Sequence, residues 1–457
     1  MSRQAGGPGF AAMVAQAVRN DPFELCFEDA SELLARREGV VVPPTGLIPF
    51  IKRFVGIIRL ALRGLGAPPA YAEPISGKIF CLVTSANHMH AARPVIDRLG
   101  AAAIVGDDLF SDRIRCLAAL YTLPFLPVMI YRCLKATRYQ RSTLAVSFSN
   151  YWLSYGLFIA ACRVLRERPS IVVLISDHAA LPRAMLFAAR FRGIPTAFIP
   201  HAGVTKGLPP LGFDVAFLDG RYGAEQYARR GPSTTQTFLA GIPRLDPVIQ
   251  TPRHEGRRVG ICPALGGDAP AVLEVLARLA KVVSPRQVTI RPHPREPARE
   301  QYIREAELLG CVYSDARQMP AGDFLQTVDI VVCGDSNIIL EAKVARRWVV
   351  FFNPSGVTWD QYGYIADDLP HATCHEVNEL LAFVANERTK MPPPDTGLDI
   401  YMSTIGTQWE GRSAELVAAT LVDIAGGRWA SDSVPWRREG NALLLPRPVE
   451  RAEAVAL

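Results

Sequence analysis

The chain has 457 residues, too many for one ordinary hydrophobic core, and the length predicts two domains. Hydrophobic residues make up 49% and charged residues 21%, a composition that excludes a disordered chain. The net charge of +6 suits an anionic ligand or membrane surface and is too small to argue for nucleic acid, while the 9 cysteines, scattered without C-x-x-C pairs or clustered histidines, read as reduced core residues of a cytosolic protein.

Residues 1–76 read as an N-terminal helical extension. It holds a short acidic helix near Asp29–Arg37, a break at Pro43-Pro44 and a basic amphipathic helix over Ile51–Gly66. On that helix Lys52, Arg59 and Arg63 share a stripe with Gly56, opposite Ile51, Phe54, Val55, Ile58 and Leu62. Two readings stand side by side: a helix lying in the interface of an anionic membrane, or a surface helix packed on its own domain. No signal-type n-region and h-region opens the chain. The longest apolar candidate for a membrane span, Cys116–Tyr131, contains Thr122, Pro124 and Pro127 and is too short.

Residues 77–250 read as a first α/β domain. Apolar runs predict strands at Ile79–Thr84, Ala101–Val105, Leu144–Phe148, Ile171–Ile175, Thr196–Ile199, Val215–Leu218 and Thr237–Leu239. Helices between them make this a parallel, doubly wound sheet. Ser176-Asp177-His178 follows the fourth strand and leads into a helix that Gly193 stops; Pro200-His201 ends the next strand. The segment Gly241–Glu255, with its three prolines, reads as a linker. Residues 251–425 read as a second α/β domain, with strands at Val259–Cys262, Val288–Ile290, Ile330–Cys333 and Val349–Phe352. Asp268 is placed to cap a helix there, and a late helix spans Gly411–Ile424. Residues 426–457, rich in Arg, Pro and Glu, read as a loose tail.

Two segments of the second domain carry the chemistry. Arg291-Pro292-His293-Pro294 and Gly334-Asp335-Ser336-Asn337 each close a strand, and side chains just past the carboxyl ends of strands line the ligand crevice of an open α/β sheet. Arg offers a fork for phosphate oxygens, and His293 can donate a proton or hydrogen bond to a departing phosphate. Asp335, Ser336 and Asn337 open a helix, so they read both as an N-cap and as a phosphate site. Glu341, one turn further, can accept hydrogen bonds from a ribose. In the first domain His201 is the candidate general base, with Asp177 and His178 as rivals at a neighbouring strand end. Asp177, with Pro182 in the first turn or two that follows, reads strongly as an N-cap. The loop Ser85–His90 lacks glycine and is set aside. No G-x-x-x-x-G-K-[ST], strand-linked G-x-G-x-x-G or G-x-S-x-G occurs, which argues against a P-loop ATPase, a dehydrogenase and an α/β-hydrolase. The absence of D-x-D predicts no metal and no cofactor.

His201-Ala202-Gly203, Arg291–Pro294 and Asp335-Ser336 with Glu341, in that order over roughly 77–425, resemble GT-B fold glycosyltransferases. The likeness is to bacterial capsule and wall-polymer transferases of the CDP-glycerol glycerophosphotransferase and CMP-sugar transferase types. The chain differs from them at Ala202, which separates His from Gly, and at Asn337, where a second Ser is usual. The resemblance implies two Rossmann-like domains facing a central cleft. It implies a nucleotide-activated sugar or polyol donor (CDP-, CMP- or UDP-linked) held by Arg291, His293, Asp335, Ser336, Asn337 and Glu341. His201 is then the base acting on a polysaccharide or lipid-linked acceptor, at the inner face of the plasma membrane. A UDP-sugar 2-epimerase and a non-catalytic nucleotide-binding scaffold remain as alternatives.

Overall fold

In the computed structural model the described residues are 9–25, 54–60, 62, 75–135, 138–205, 208–249, 258–265, 267–358, 360–387, 390–393, 397–428, 436–439 and 443–446. The expected acidic helix near 29–37 lies outside them, as does much of the expected helix over 51–66. The chain divides into two compact units. The first comprises Met1–Leu218, Gly223–Ala240 and Glu415–Arg447; the second comprises Asp219–Tyr222, Gly241–Ala414 and Pro448–Leu457.

The first unit is built on strands β1 (Ile79–Leu82), β2 (Ala103–Gly106), β3 (Ile171–Leu174), β4 (Thr196–Phe198), β5 (Val215–Leu218) and β6 (Gln236–Leu239). The second is built on β7 (Val259–Cys262), β8 (Val288–Ile290), β9 (Val312–Tyr313), β10 (Ile330–Cys333), β11 (Trp348–Phe352) and β12 (Ala372–Cys374). Two further strands, β13 (Trp436–Glu439) and β14 (Leu443–Pro446), return to the first unit. The eight-stranded sheet runs β13-β14-β6-β5-β4-β3-β1-β2 and the six-stranded sheet β12-β11-β10-β7-β8-β9. Every pairing is parallel except that of β13 with β14. Parallel strands covered on both faces must be apolar along their whole length, and β1, β3, β5, β7 and β10 are each buried at every residue.

Strand order reverses between β1 and β3 in the first sheet and between β7 and β10 in the second. At such a point the connections leave in opposite directions and open a crevice beyond the carboxyl ends.

Several sequence expectations are corrected. Leu144–Phe148 is not a strand but part of the helix Arg138–Val164. That helix is buried on all sides from Tyr151 to Cys162, so no polar face marks its period. Gly156 lets the helix Asp108–Thr122 cross it at backbone contact, since a Cβ there would lie 1.8 Å from the Ala118 carbonyl oxygen. Residues 241–249, expected within the linker, are core: Ile242, Leu245, Val248 and Ile249 are buried in the second unit. The expected tail contains β13 and β14, with Trp436 packed on Phe238 at 4.9 Å and donating from its indole nitrogen to Thr420 at 3.0 Å. Its charged composition is that of an edge strand, because Arg437, Arg438 and Glu439 are exposed. Asp268 does cap the helix Ala269–Val282, accepting from the Ala271 amide at 3.0 Å. No disulfide forms among the described residues, and burial pushes the thiols of Cys81, Cys162 and Cys262 up to about 12.

Candidate active site

In the first unit three histidines gather beyond the carboxyl ends of β1, β3 and β4, at and beside the reversal of strand order. The rings of His88 and His201 lie 4.5 Å apart, and those of His178 and His201 lie 6.0 Å apart. Each imidazole is oriented by a different partner. His201 Nδ1 is 3.0 Å from the Ile175 carbonyl oxygen. A carbonyl only accepts, so Nδ1 carries the hydrogen and Nε2 holds the lone pair of the neutral ring. His178 Nδ1 is 2.9 Å from Asp177 Oδ1, which likewise assigns its hydrogen to Nδ1. His88 is the reverse case. Its Nδ1 accepts from the Thr84 amide at 3.4 Å and lies 2.9 Å from the Thr84 hydroxyl, so Nε2 carries the hydrogen. Burial first, then the neighbouring His201 and His178, pushes the pKa of His88 down to about 3, which keeps it neutral.

Asp177 is buried, and both its oxygens are engaged: Oδ1 by His178 and Oδ2 by the Tyr227 hydroxyl. It is a positioning residue for His178 and not the N-cap that its place before a helix suggests. The helix Ala180–Arg192 starts without a side-chain cap, and Ser176 Oγ accepts from the Ala179 amide at 3.3 Å. His88 was missed by sequence reasoning because the loop after β1 has no glycine. The side chain reaches the cluster from the first turn of the helix Ala86–Leu99, whose N-cap Ser85 accepts from the His88 amide at 3.2 Å. A histidine one turn past a strand end, with Ser two or three residues before it, is the signal that was available.

In the second unit a cavity of about 220 Å³ opens beyond the ends of β7 and β10, at the reversal of strand order. Pro263, Gly334, Asp335, Asn353 and Ser355 are among the residues that line it. Gly334 brings the two strand ends together, since a Cβ there would sit 2.6 Å from that of Ala264. Of the six donor-side residues chosen from sequence, Asp335 alone is part of this lining.

The others are placed as follows. Arg291 follows β8, and its amide donates to the Ile261 carbonyl at 2.8 Å. Its guanidinium is turned inward, donating to Ser314 Oγ at 3.1 Å and to the Met319 carbonyl at 2.7 Å, and stacks over the Phe324 ring at 5.0 Å. Both ends of the expected phosphate fork therefore serve the unit's own packing. His293 is half-buried, and its Nδ1 accepts from the Arg295 amide at 3.1 Å. The hydrogen of the neutral ring is then on Nε2, and burial, followed by the Arg295 charge, lowers its pKa. Ser336 is half-buried just before the helix Ile338–Val344. Asp335 Oδ2 accepts from the Gln361 amide at 3.3 Å, and Asn337 Oδ1 from the Tyr364 hydroxyl at 3.1 Å. The N-cap reading of this turn is corrected: Asn337 has helical angles and its side chain makes no cap.

Glu341 is buried and faces Arg244, which donates to its Oε1 from Nε at 3.3 Å and from a terminal nitrogen at 3.1 Å. Asp219 lies close to this pair. Burial raises its carboxyl to about 7, against the pull of Arg244 and with the push of Glu341. Sequence reasoning missed Arg244, which sat in the supposed linker. The clue was Glu341 itself, since a carboxylate inside the apolar run Ile338–Ala342 must find a cation.

No protein-family model and no curated protein matches the chain. Solved structures do. A protein described as a UDP-N-acetylglucosamine 2-epimerase from Listeria monocytogenes is similar at 12% identity, covering 79% of this chain and 98% of its own, with a TM-score of 0.50. A second UDP-N-acetylglucosamine 2-epimerase is similar at 12% identity, 78% and 98% coverage and a TM-score of 0.50. The wall teichoic acid polymerase TagF aligns at 10% identity over 82% of this chain and 99% of its own, with a TM-score of 0.49. With two parallel doubly wound units and the likeness to the two epimerase structures, the chain has the GT-B fold.

Proposed function

We propose that the protein is a transferase that moves a sugar or polyol phosphate from a nucleotide-activated donor to a surface polysaccharide or lipid-linked acceptor. The observation that carries this reading is the orientation of His201. With Nδ1–H held by the Ile175 carbonyl, Nε2 presents a lone pair suited to taking the proton of an acceptor hydroxyl as that oxygen attacks. His178, turned by Asp177, lies beside it to share or pass on the proton.

On the donor side the cavity beyond β7 and β10 takes the nucleoside, with Asp335 in its wall. The leaving phosphate is met by the Nε2–H of His293 and the Ser336 hydroxyl. Arg291 acts by holding the loop after β8, and Glu341 is held by Arg244. The sequence has no paired carboxylates of D-x-D type, so developing charge on the phosphate falls to hydrogen-bond donors of the chain itself. The donor base, CDP-, CMP- or UDP-linked, is what the first experiment decides. Thermal shifts of parent and His293→Ala protein with CDP, CMP, UDP, GDP and ADP should show one nucleotide stabilising the parent and stabilising the variant less. No shift with any nucleotide would overturn the donor site and the transferase reading with it.

A second reading is favoured by the two similar structures of TM-score 0.50, which are named as UDP-N-acetylglucosamine 2-epimerases. An epimerase acts without an acceptor. Turnover of UDP-N-acetylglucosamine alone into its C2 epimer would replace the transferase reading.

A further inference from the structure

The net charge of +6 conceals a segregation. Residues 39–72 and 113–166 contain no Asp or Glu, yet hold 12 of the 50 Lys and Arg residues, leaving 38 basic against 44 acidic over the rest of the chain. Both stretches belong to the first unit, and both present apolar side chains to solvent.

The run 110–135 is the one stretch among the described residues that is long and apolar enough to cross a membrane. Its packing argues against crossing. Phe110, Ile114, Ala118, Ala119, Phe125 and Met129 are buried in the core of the first unit. The other side of its second half is bare: Leu123, Ile130, Tyr131 and Leu134 are 45%, 50%, 62% and 71% exposed. The spacing from 123 through 127 and 130 or 131 to 134 is that of one helical stripe, and Pro127 is exposed on it as well. Lys135 ends the stripe, its Nζ 6.0 Å from the Tyr131 ring.

A second apolar stripe accompanies it. In the segment 54–62, Ile57 is buried in the same core while Val55, Ile58 and Leu62 are exposed, with Arg59 exposed beside them. The two segments are held by consecutive residues of the helix Arg138–Val164. Tyr151 donates to the Met129 carbonyl at 2.8 Å, and the Trp152 ring meets that of Phe54 at 6.5 Å. Arg132 fastens the first of them to the carbonyls of Val18 and Asn20.

We infer that the stripe Leu123–Leu134, with Val55, Ile58 and Leu62, is a docking face for an anionic lipid bilayer, on which the first unit lies without crossing it. Apolar side chains enter the acyl boundary, Tyr131 suits the interface, and Lys135 and Arg59 reach the headgroups. Two stretches emptied of carboxylates select lipid over an ordinary protein partner, because anionic headgroups penalise every Asp or Glu brought near them. This face shares no residue with the histidine cluster or with the cavity lining, so its test uses no donor and no turnover.

The full chain is to be sedimented with vesicles of phosphatidylcholine and with vesicles containing phosphatidylglycerol as well. Binding to the second kind, weakened by salt, is expected. Ile130→Glu with Leu134→Glu should lower the partition coefficient roughly tenfold or more, and Lys135→Glu should lower it by a smaller factor. Circular dichroism melts should be unchanged, because all three side chains are exposed. Equal binding by the double variant and the parent, or no binding to either vesicle, would overturn the inference. So would a dimer that the double variant dissolves without any vesicle binding, which would assign the stripe to a second copy of this chain.

Discussion

The two units gather polar groups and treat them in opposite ways. In the first, the imidazoles of His88 and His178 lie 4.5 Å and 6.0 Å from that of His201 beyond the end of β4, each of the three turned by a neutral or anionic partner. In the second, Arg244 and Glu341 form a buried ion pair with Asp219 nearby. Imidazoles exchange protons near neutral pH, whereas a guanidinium and its carboxylate hold a fixed charge distribution. The first arrangement suits moving a proton and the second suits fixing a helix. Burial alone therefore does not mark a reacting group; the kind of partner does.

The strongest way to sharpen this contrast is His201→Ala. The transferase reading expects kcat to fall by about 10²–10⁴-fold with nucleotide binding and melting temperature unchanged. An unaltered rate would move the base to His178. Next is Arg244→Met, which strands Glu341 in the core and should destabilise the second unit by about 3–5 kcal/mol in urea unfolding. Adding Glu341→Leu should restore most of that loss, and failure to do so would mean that the pair contributes more than mutual neutralisation. Gly156→Ala tests the first unit in the same assay. Its Cβ would fall 1.8 Å from the Ala118 oxygen, so about 1–3 kcal/mol is expected to be lost, and from the first unit's transition alone.

The smallest effect is a slope. The folded pKa of His88 is pushed down to about 3 from an ordinary 6.5, so between these values the unfolded chain binds more protons than the folded one. Stability from this group is complete above pH 6.5 and declines as pH falls towards 3. His88→Gln should flatten that decline in thermal melts recorded across the range. An unchanged slope would place the acid sensitivity elsewhere.

The strands were legible because a buried parallel strand is apolar at every residue, as in Val215–Leu218 and Val259–Cys262. The same property misled at Leu144–Phe148, an apolar run that belongs to the helix Arg138–Val164. The strand-end positions of His201 and Asp177 were legible, since local sequence places them just beyond β4 and β3. What the sequence did not disclose is long-range pairing. Nothing local joins Glu341 to Arg244, 97 residues away, or turns the Arg291 fork inward to Ser314 and Met319. The strands β13 and β14 were hidden for a related reason, because their place is specified by the distant strand β6 that β14 joins and not by their own composition.

That last pairing has a consequence for the order of events at the ribosome. β14 lies in register with Thr237 and Phe238 of β6, yet it is synthesised only after the whole stretch 241–414. The second unit has all of its strands before the first has its last two. During the interval the open side of β6 offers unpaired backbone groups to any extended chain nearby. Nascent protein truncated before residue 436 should therefore carry every strand of the second unit and an aggregation-prone first unit, which makes the last strands of the chain a late-arriving guard on one of the earliest sheets to form.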